Sequence, residues 1–190
     1  MTRLLGTILV GAMIGCGAPL PSAPPDAATS TPTLAPPGDA AQAGPVDGIT
    51  CDNSEQLLFH IHAHLAVYVE GAARLIPGGI GIGAPLVYEN GEVVSGSCFS
   101  WLHTHDDSGV IHIESPVPRT FTLGEFFDLW GLPLSATTVG PAQGAVTAFL
   151  NGQPFGGDPT TIPLDAQNVI QLDVGTPAVP AQPFTFPAGL

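Results

Sequence analysis

Phe59-His60-Ile61-His62-Ala63-His64-Leu65-Ala66-Val67-Tyr68-Val69-Glu70 is the stretch that decides the fold. Phe59, Ile61, Ala63, Leu65, Val67 and Val69 alternate with His60, His62, His64, Ala66, Tyr68 and Glu70. A period of two over that length predicts one long β-strand with an apolar face and a polar face. The three histidines share a parity, so all of them project from the polar face while the aliphatic residues cover a core.

Downstream the period stays mostly two. Gly71 and Ala72 mark a hairpin into Arg74-Leu75-Ile76-Pro77, and a glycine-rich stretch follows to Gly83. Glu89-Asn90-Gly91-Glu92 is a tight-turn signal between two short extended pieces. Cys98 to His105 and Val110 to Glu114 read as two strands around the turn Asp106-Asp107-Ser108-Gly109. One helix is expected: Thr122-Leu123-Gly124-Glu125 forms a capping box, Phe126, Phe127, Leu129 and Trp130 are apolar, and Gly131 with Pro133 stops it. Strand character returns at Ala145 to Leu150, after the Asn151-Gly152 turn, and at Asn168 to Val174. The fold class is therefore α+β, predominantly antiparallel β with one short helix. The order hairpin, helix, strands points by analogy to a β-grasp-like C-terminal half.

Working outward, Met1-Thr2-Arg3 is a short positive segment before the apolar run Leu4 to Ile14. That run is too short to span a bilayer and has the proportions of a signal peptide, assigned to residues 1–15. Met13-Ile14-Gly15-Cys16 resembles the lipobox of bacterial lipoproteins, with Met where Leu is usual. The resemblance implies lipidation of Cys16 and an exported, cell-envelope protein held to the membrane through a lipid anchor only. Residues 16–50, rich in Pro, Ala, Thr and Gly, are expected to be a linker with too little apolar content to fold. A histidine-rich β domain then spans 51–175. A Pro-rich C-terminal tail spans 176–190, where Phe184 and Phe186 offer a way to pin it to the domain.

The chain carries 16 acidic residues against three basic ones, Arg3, Arg74 and Arg119, and has no lysine. A formal net charge of −13 argues against nucleic-acid partners and against electrostatic adhesion to anionic lipids, and it favours cations. No glycine-rich loop ends in a basic residue, so phosphate recognition also lacks a motif.

All six histidines, His60, His62, His64, His103, His105 and His112, fall between positions 60 and 112. If Asp106 to Gly109 is a four-residue loop, His103 sits opposite His112 and Trp101 lies across from Glu114. One face of that hairpin is then Leu102, Thr104, Ile111 and Ile113, and the other is His103, His105, His112 and Glu114. A three-residue loop with a glycine bulge would move His112 to the opposite face, so its place depends on the register. Imidazoles two residues apart on one strand face are roughly 6.5–7 Å apart and can lean toward one ion held at about 2.0–2.1 Å. His60 and His64, roughly 13 Å apart, cannot easily share one. The set thus predicts either a mononuclear site on His62, His64, His103 and His105, with His112 close behind, or two neighbouring sites. Asp106 and Glu114 are expected to ligate or to hold imidazole tautomers.

Imidazole-rich sites suit copper(II) or zinc. With Cys16 assigned to the anchor, Cys51 and Cys98 remain as an even pair in an oxidising compartment, where a disulfide is the default. The competing assignment makes one of them a metal ligand. A blue-copper site would want an axial Met, and both methionines, Met1 and Met13, lie in the signal.

The segments Phe59 to Leu65, Ile76 to Ile82, Trp101 to Asp106, Ser108 to Pro116 and Phe121 to Gly131 resemble a group of exported bacterial and archaeal proteins. The resemblance spans most of the folded domain. No established activity attaches to that group, so it implies export and a shared fold but no catalytic residues.

Three functions compete. One is a non-catalytic metal-binding lipoprotein that scavenges, buffers or delivers copper or zinc. Another is an extracytoplasmic metalloenzyme with three His and a carboxylate, like cupin oxygenases or carbonic anhydrases in type. The third is a structural or interaction module whose histidines only pack, or sense pH. An enzyme should keep an open coordination position in a cleft, a storage site should be closed or plainly exposed, and the third reading requires no metal.

Overall fold

The alternating segment forms the strand around which everything else is arranged. The computed structural model describes residues 30–38 and 44–190. The expected signal peptide, Cys16, and the linker through residue 29 and over 39–43 lie outside the described residues. The first five strands are β1 (Cys51–Asp52), β2 (Phe59–Val69), β3 (Ala72–Arg74), β4 (Val87–Glu89) and β5 (Glu92–Ser95). Next come β6 (Phe99–Ser100), β7 (Leu102–His103), β8 (Val110–Ser115) and the helix α1 (Leu123–Trp130). The rest are β9 (Leu134–Ser135), β10 (Thr138–Val139), β11 (Ala142–Gln143), β12 (Val146–Leu150), β13 (Gln153–Phe155) and β14 (Val169–Val174).

Seven strands make the principal sheet in the order β13-β12-β14-β2-β8-β7, with β3 also paired to β2. Along one edge of β2, the half carrying the histidines pairs with β8 and the other half with β3. On its other edge Val169 to Val174 of β14 run parallel to His64 to Val69. All the other ladders are antiparallel. The architecture is α+β, mostly β with one short helix, as the periodicity predicts. The parallel central pair comes from the first long strand and the last, with α1 in the long connection between them.

The predicted faces are in place. Ala63, Leu65 and Val67 of β2, Ile111 and Ile113 of β8 and Leu102 of β7 are all buried in the core. Phe126, Phe127, Leu129 and Trp130 of α1 are buried in the same cluster. The capping box is present: Thr122 Oγ1 accepts from Glu125 N, the Glu125 side chain accepts from Thr122 N, and Gly131 ends the helix at φ 75°. Asn90-Gly91 and Asn151-Gly152 turn their hairpins with both residues at positive φ, the conformation two-residue loops demand. The first hairpin turns on Glu70-Gly71, pairing Val69 with Ala72, one residue earlier than the sequence marks.

The folded unit is larger than expected. It runs from Thr31 to Leu190, so part of the segment assigned to a linker belongs to it. Leu34 and Ile49 are buried in the core, the backbones of Leu34 and Leu75 are hydrogen-bonded, and Trp130 Nε1 donates to Pro36 O at 2.7 Å. The C-terminal tail is held too. Val179 N donates to Asp173 Oδ1 and Gln182 N to Gln171 Oε1. No helix among the described residues is long and apolar enough to cross a membrane.

Candidate metal centre

The polar face of the sheet gathers five of the six histidines because β8 lies between β2 and β7. His62 pairs across the ladder with His112, and His112 pairs on its other side with His103. Three histidines thus stand in a row across three strands. In the next row His60 faces Glu114, and Glu114 N donates to Trp101 O. The four-residue-loop register is the one observed.

On the β2 side, His60 Nε2 lies 3.0 Å from His62 Nε2 and 3.0 Å from Glu114 Oε1. His112 Nδ1 is 3.4 Å from the same carboxylate oxygen. On the β7 side, His103 Nε2 lies 3.1 Å from His105 Nε2. Glu55 Oε1 approaches both, at 3.9 Å and 3.4 Å. The ligand atoms of His60, His62 and His112, and likewise those of His103, His105 and His112, lie within 4.8 Å of one another. These groups could hold a metal ion. An ion about 2.1 Å from both nitrogens of either close pair would subtend roughly 90–95° between them, within the range of ordinary coordination.

Hydrogen bonding outside the cluster decides where the lone pairs point. His103 Nδ1 donates to Ser100 O at 2.9 Å and His105 Nδ1 donates to Val93 O at 2.5 Å. A carbonyl only accepts, so both Nδ1 atoms carry the proton, and in the neutral form of each ring Nε2 is the bare nitrogen, turned toward the other. Two bare nitrogens and a carboxylate oxygen therefore converge. They cannot hydrogen-bond one another, but a cation between them satisfies all three. Glu114 makes the same point: it is almost fully buried, and its Oε2 has no hydrogen-bond partner.

The electrostatics keep His62 and His103 neutral. Burial, then the neighbouring His105 and His112, hold the His103 imidazole down at about 3 against the pull of Glu114 and the Ser100 carbonyl. Burial, then His112 and His60, lower His62 to about 4, with Glu114 opposing. For Glu114, burial alone would raise the carboxyl, but the hydrogen bond with His112 and the nearby His103, His60 and His112 rings outweigh it and bring it below the usual carboxylate range. Neutral imidazoles beside an ionised carboxylate are the protonation states that metal ligands need.

The remaining residues sort as follows. Cys51 and Cys98 form a disulfide, so neither is a ligand. His64 is not brought to the others, which corrects the mononuclear set of His62, His64, His103 and His105. Its Nε2 faces Ser108 O at 3.0 Å, and its ring is stacked on Phe184. The set fails for a second reason. His62 and His103 are two strands apart, roughly 9.5 Å at backbone level, with His112 between them. Asp106 Oδ1 accepts from Ser108 N and Oγ, shaping the turn. Glu55 went unnoticed in the sequence. Its one signal is its position four residues after Cys51, which the disulfide and the β1–β6 pair fasten beside β7.

Fold and site define an α+β protein with a histidine- and glutamate-lined sheet face. In comparisons with known proteins, no family model matches this chain, no curated protein matches it, and no solved structure matches it.

Proposed function

We propose that this protein is an exported, lipid-anchored transition-metal-binding protein that scavenges, buffers or delivers copper(II) or zinc. The observation that carries the reading is the convergence of His103 Nε2, His105 Nε2 and Glu55 Oε1, with Nδ1 of both rings already committed as a donor to a backbone carbonyl. Their outward nitrogens are tied to backbone carbonyls, the orientation that metal-bound imidazoles use. The donor set, imidazole with carboxylate and no thiolate, suits zinc and copper(II) rather than copper(I). The amino-terminal run ending in Cys16 and the disulfide support export, since disulfides persist in oxidising compartments.

The test is the metal content of the full-length chain, produced without a histidine tag, exported and recovered from the cell envelope. Copper or zinc at whole-number stoichiometry is the expected result, with Cys16→Ser releasing the protein from the membrane fraction. A chain that carries no metal and takes up neither added copper(II) nor zinc overturns the proposal.

A second reading, a metalloenzyme, draws on one observation. A cavity of about 240 Å³ lies beside His105 and His112, walled by Val110, Phe184, Pro187 and Leu190. A metal held by those histidines would face a mostly apolar chamber able to take a small substrate. A change in the copper(II) absorption spectrum on adding azide, with metal content unchanged, favours this reading, and an inert spectrum favours the carrier.

A further inference from the structure

We propose that the histidine face holds two metal ions rather than one, with His112 serving both. The inference rests on the metal-binding reading above and adds the number of ions and the residue that joins them.

The donors exceed what one ion can use. Five imidazoles and two carboxylates crowd this face, whereas a tetrahedral ion takes four ligands. They also divide by strand. His60 and His62 come from β2 and have Glu114 Oε1 against them. His103 and the following His105 come from β7 and its extension and have Glu55 Oε1 against them. Each half has a close imidazole pair with a carboxylate against it, so each offers three ligands and lacks a fourth, and the halves adjoin, because Glu114 also forms a close group with Glu55 and His103.

His112 stands where that fourth ligand is needed in both halves. It is opposite His62 on one side and His103 on the other. Its ring centroid lies 4.6 Å from that of His62 and 4.6 Å from that of His105. It belongs to both groups of mutually close ligand atoms. Imidazole has two ring nitrogens, and Nδ1 already lies on the Glu114 side. Nε2 is then left for the other ion, and because a neutral imidazole has only one lone-pair nitrogen, His112 releases its remaining ring proton to solvent on metal binding and bridges the two ions as an imidazolate. The orphaned Oε2 of Glu114 gives an independent sign that the structure is short of positive charge at this place.

Three variants test this: His60→Gln, His105→Gln and His112→Gln. None of the three residues is fully buried, so the substitutions should leave the fold intact, which the melting temperature of each metal-free variant checks. The full chain is titrated calorimetrically with zinc alone. The wild type should bind two equivalents. His60→Gln and His105→Gln should each weaken one binding event by more than the roughly 10–100-fold that loss of an outer-shell partner alone causes and spare the other, whereas His112→Gln should weaken both. A single equivalent in the wild type overturns the two-ion centre. Two equivalents with only one of them sensitive to His112 overturn its shared role. No binding at all overturns the metal-binding reading itself.

Discussion

The imidazole of His64 lies flat on the ring of Phe184, with centroids 3.6 Å apart and planes within 10°. The contact takes His64 out of the row of histidines although it shares their parity. Its Nε2 is engaged by the Ser108 carbonyl, and burial, only partly opposed by that hydrogen bond, lowers the ring to about 4. His64 therefore fastens the C-terminal tail to the sheet.

The consequence separates His64 from His62. His64→Gln keeps a donor for Ser108 but loses the stack, so stability should fall by about 1 kcal/mol while the metal stoichiometry stays at the wild-type value. His62→Ala should do the reverse, removing an ion with a small effect on the metal-free fold. Paired melting and calorimetric titrations check both, and loss of metal from His64→Gln would put His64 back among the ligands.

Acid should unfold the metal-free protein earlier than its acidic composition alone implies. His62, His64 and His103 titrate near 4, 4 and 3 when folded, against about 6.5 in an unfolded chain. Above pH 6.5 both states are neutral at these groups and stability does not change. Below it the unfolded state takes up protons that the folded state refuses, so stability drops steadily from about pH 6.5 toward pH 4. Glu114, held below its ordinary range, adds a loss in the same direction as pH falls through its titration. Urea midpoints at pH 7.5, 6 and 4.5 measure the slope, and bound zinc should raise the midpoint most at pH 7.5, where its ligands are deprotonated.

Much of this was legible in the sequence, for definite reasons. Parity alone placed His60 and His62 on one face, and sorting apolar from polar residues around Asp106 to Gly109 favoured the register that pairs His103 with His112, which a glycine bulge would have undone. Thr122 and Glu125 signalled the helix start because a capping box is a local interaction. What could not be read was which strands are neighbours. Parity says nothing about β8 standing between β2 and β7, and hence nothing about His112 separating His62 from His103. The parallel pairing of β2 with β14 is equally non-local. Glu55 lies in a short loop with no period, and Leu34 is a single anchor inside a proline-rich segment whose average composition hides it; Phe184 could be named as an anchor of the tail, but not His64 as its partner.

Breaking the disulfide should cost stability first and metal second. Cys51 and Cys98 are 47 residues apart in sequence, and releasing a loop of that length costs about 4 kcal/mol in the chain-entropy model. The same cross-link secures β1 against β6 and so the loop that carries Glu55 to His105. The double variant Cys51→Ser/Cys98→Ser should therefore melt well below the wild type. It should bind zinc more weakly at the His103–His105 half while the His60–His62 half is spared. Equal stability in the two proteins, with metal lost, would make a cysteine the ligand instead.

Gly81 determines how closely the glycine-rich segment can approach β7. Its φ is +72°, and a Cβ there would lie 2.1 Å from Leu102 O and 3.2 Å from His103 Cα. Leu129 Cδ2, at 2.9 Å, could turn aside, but the nearest contact is backbone to backbone and is held by Ser100 N donating to Gly81 O and Thr104 N to Ile80 O, so the Leu102 carbonyl cannot simply yield. Gly81→Ala must shift the strand that carries His103. Gly91 supplies the control: its φ is +93° but a Cβ there meets nothing within 4 Å. Gly91→Ala should cost only the conformational strain, about 1–2 kcal/mol, and leave metal binding unchanged. Gly81→Ala should cost more than that and also weaken zinc at His103 and His105, while His60 and His62 keep theirs. Equal losses in the two variants, with metal binding intact, would mean that β7 yields without moving its histidines, and the close approach would then not be what positions them.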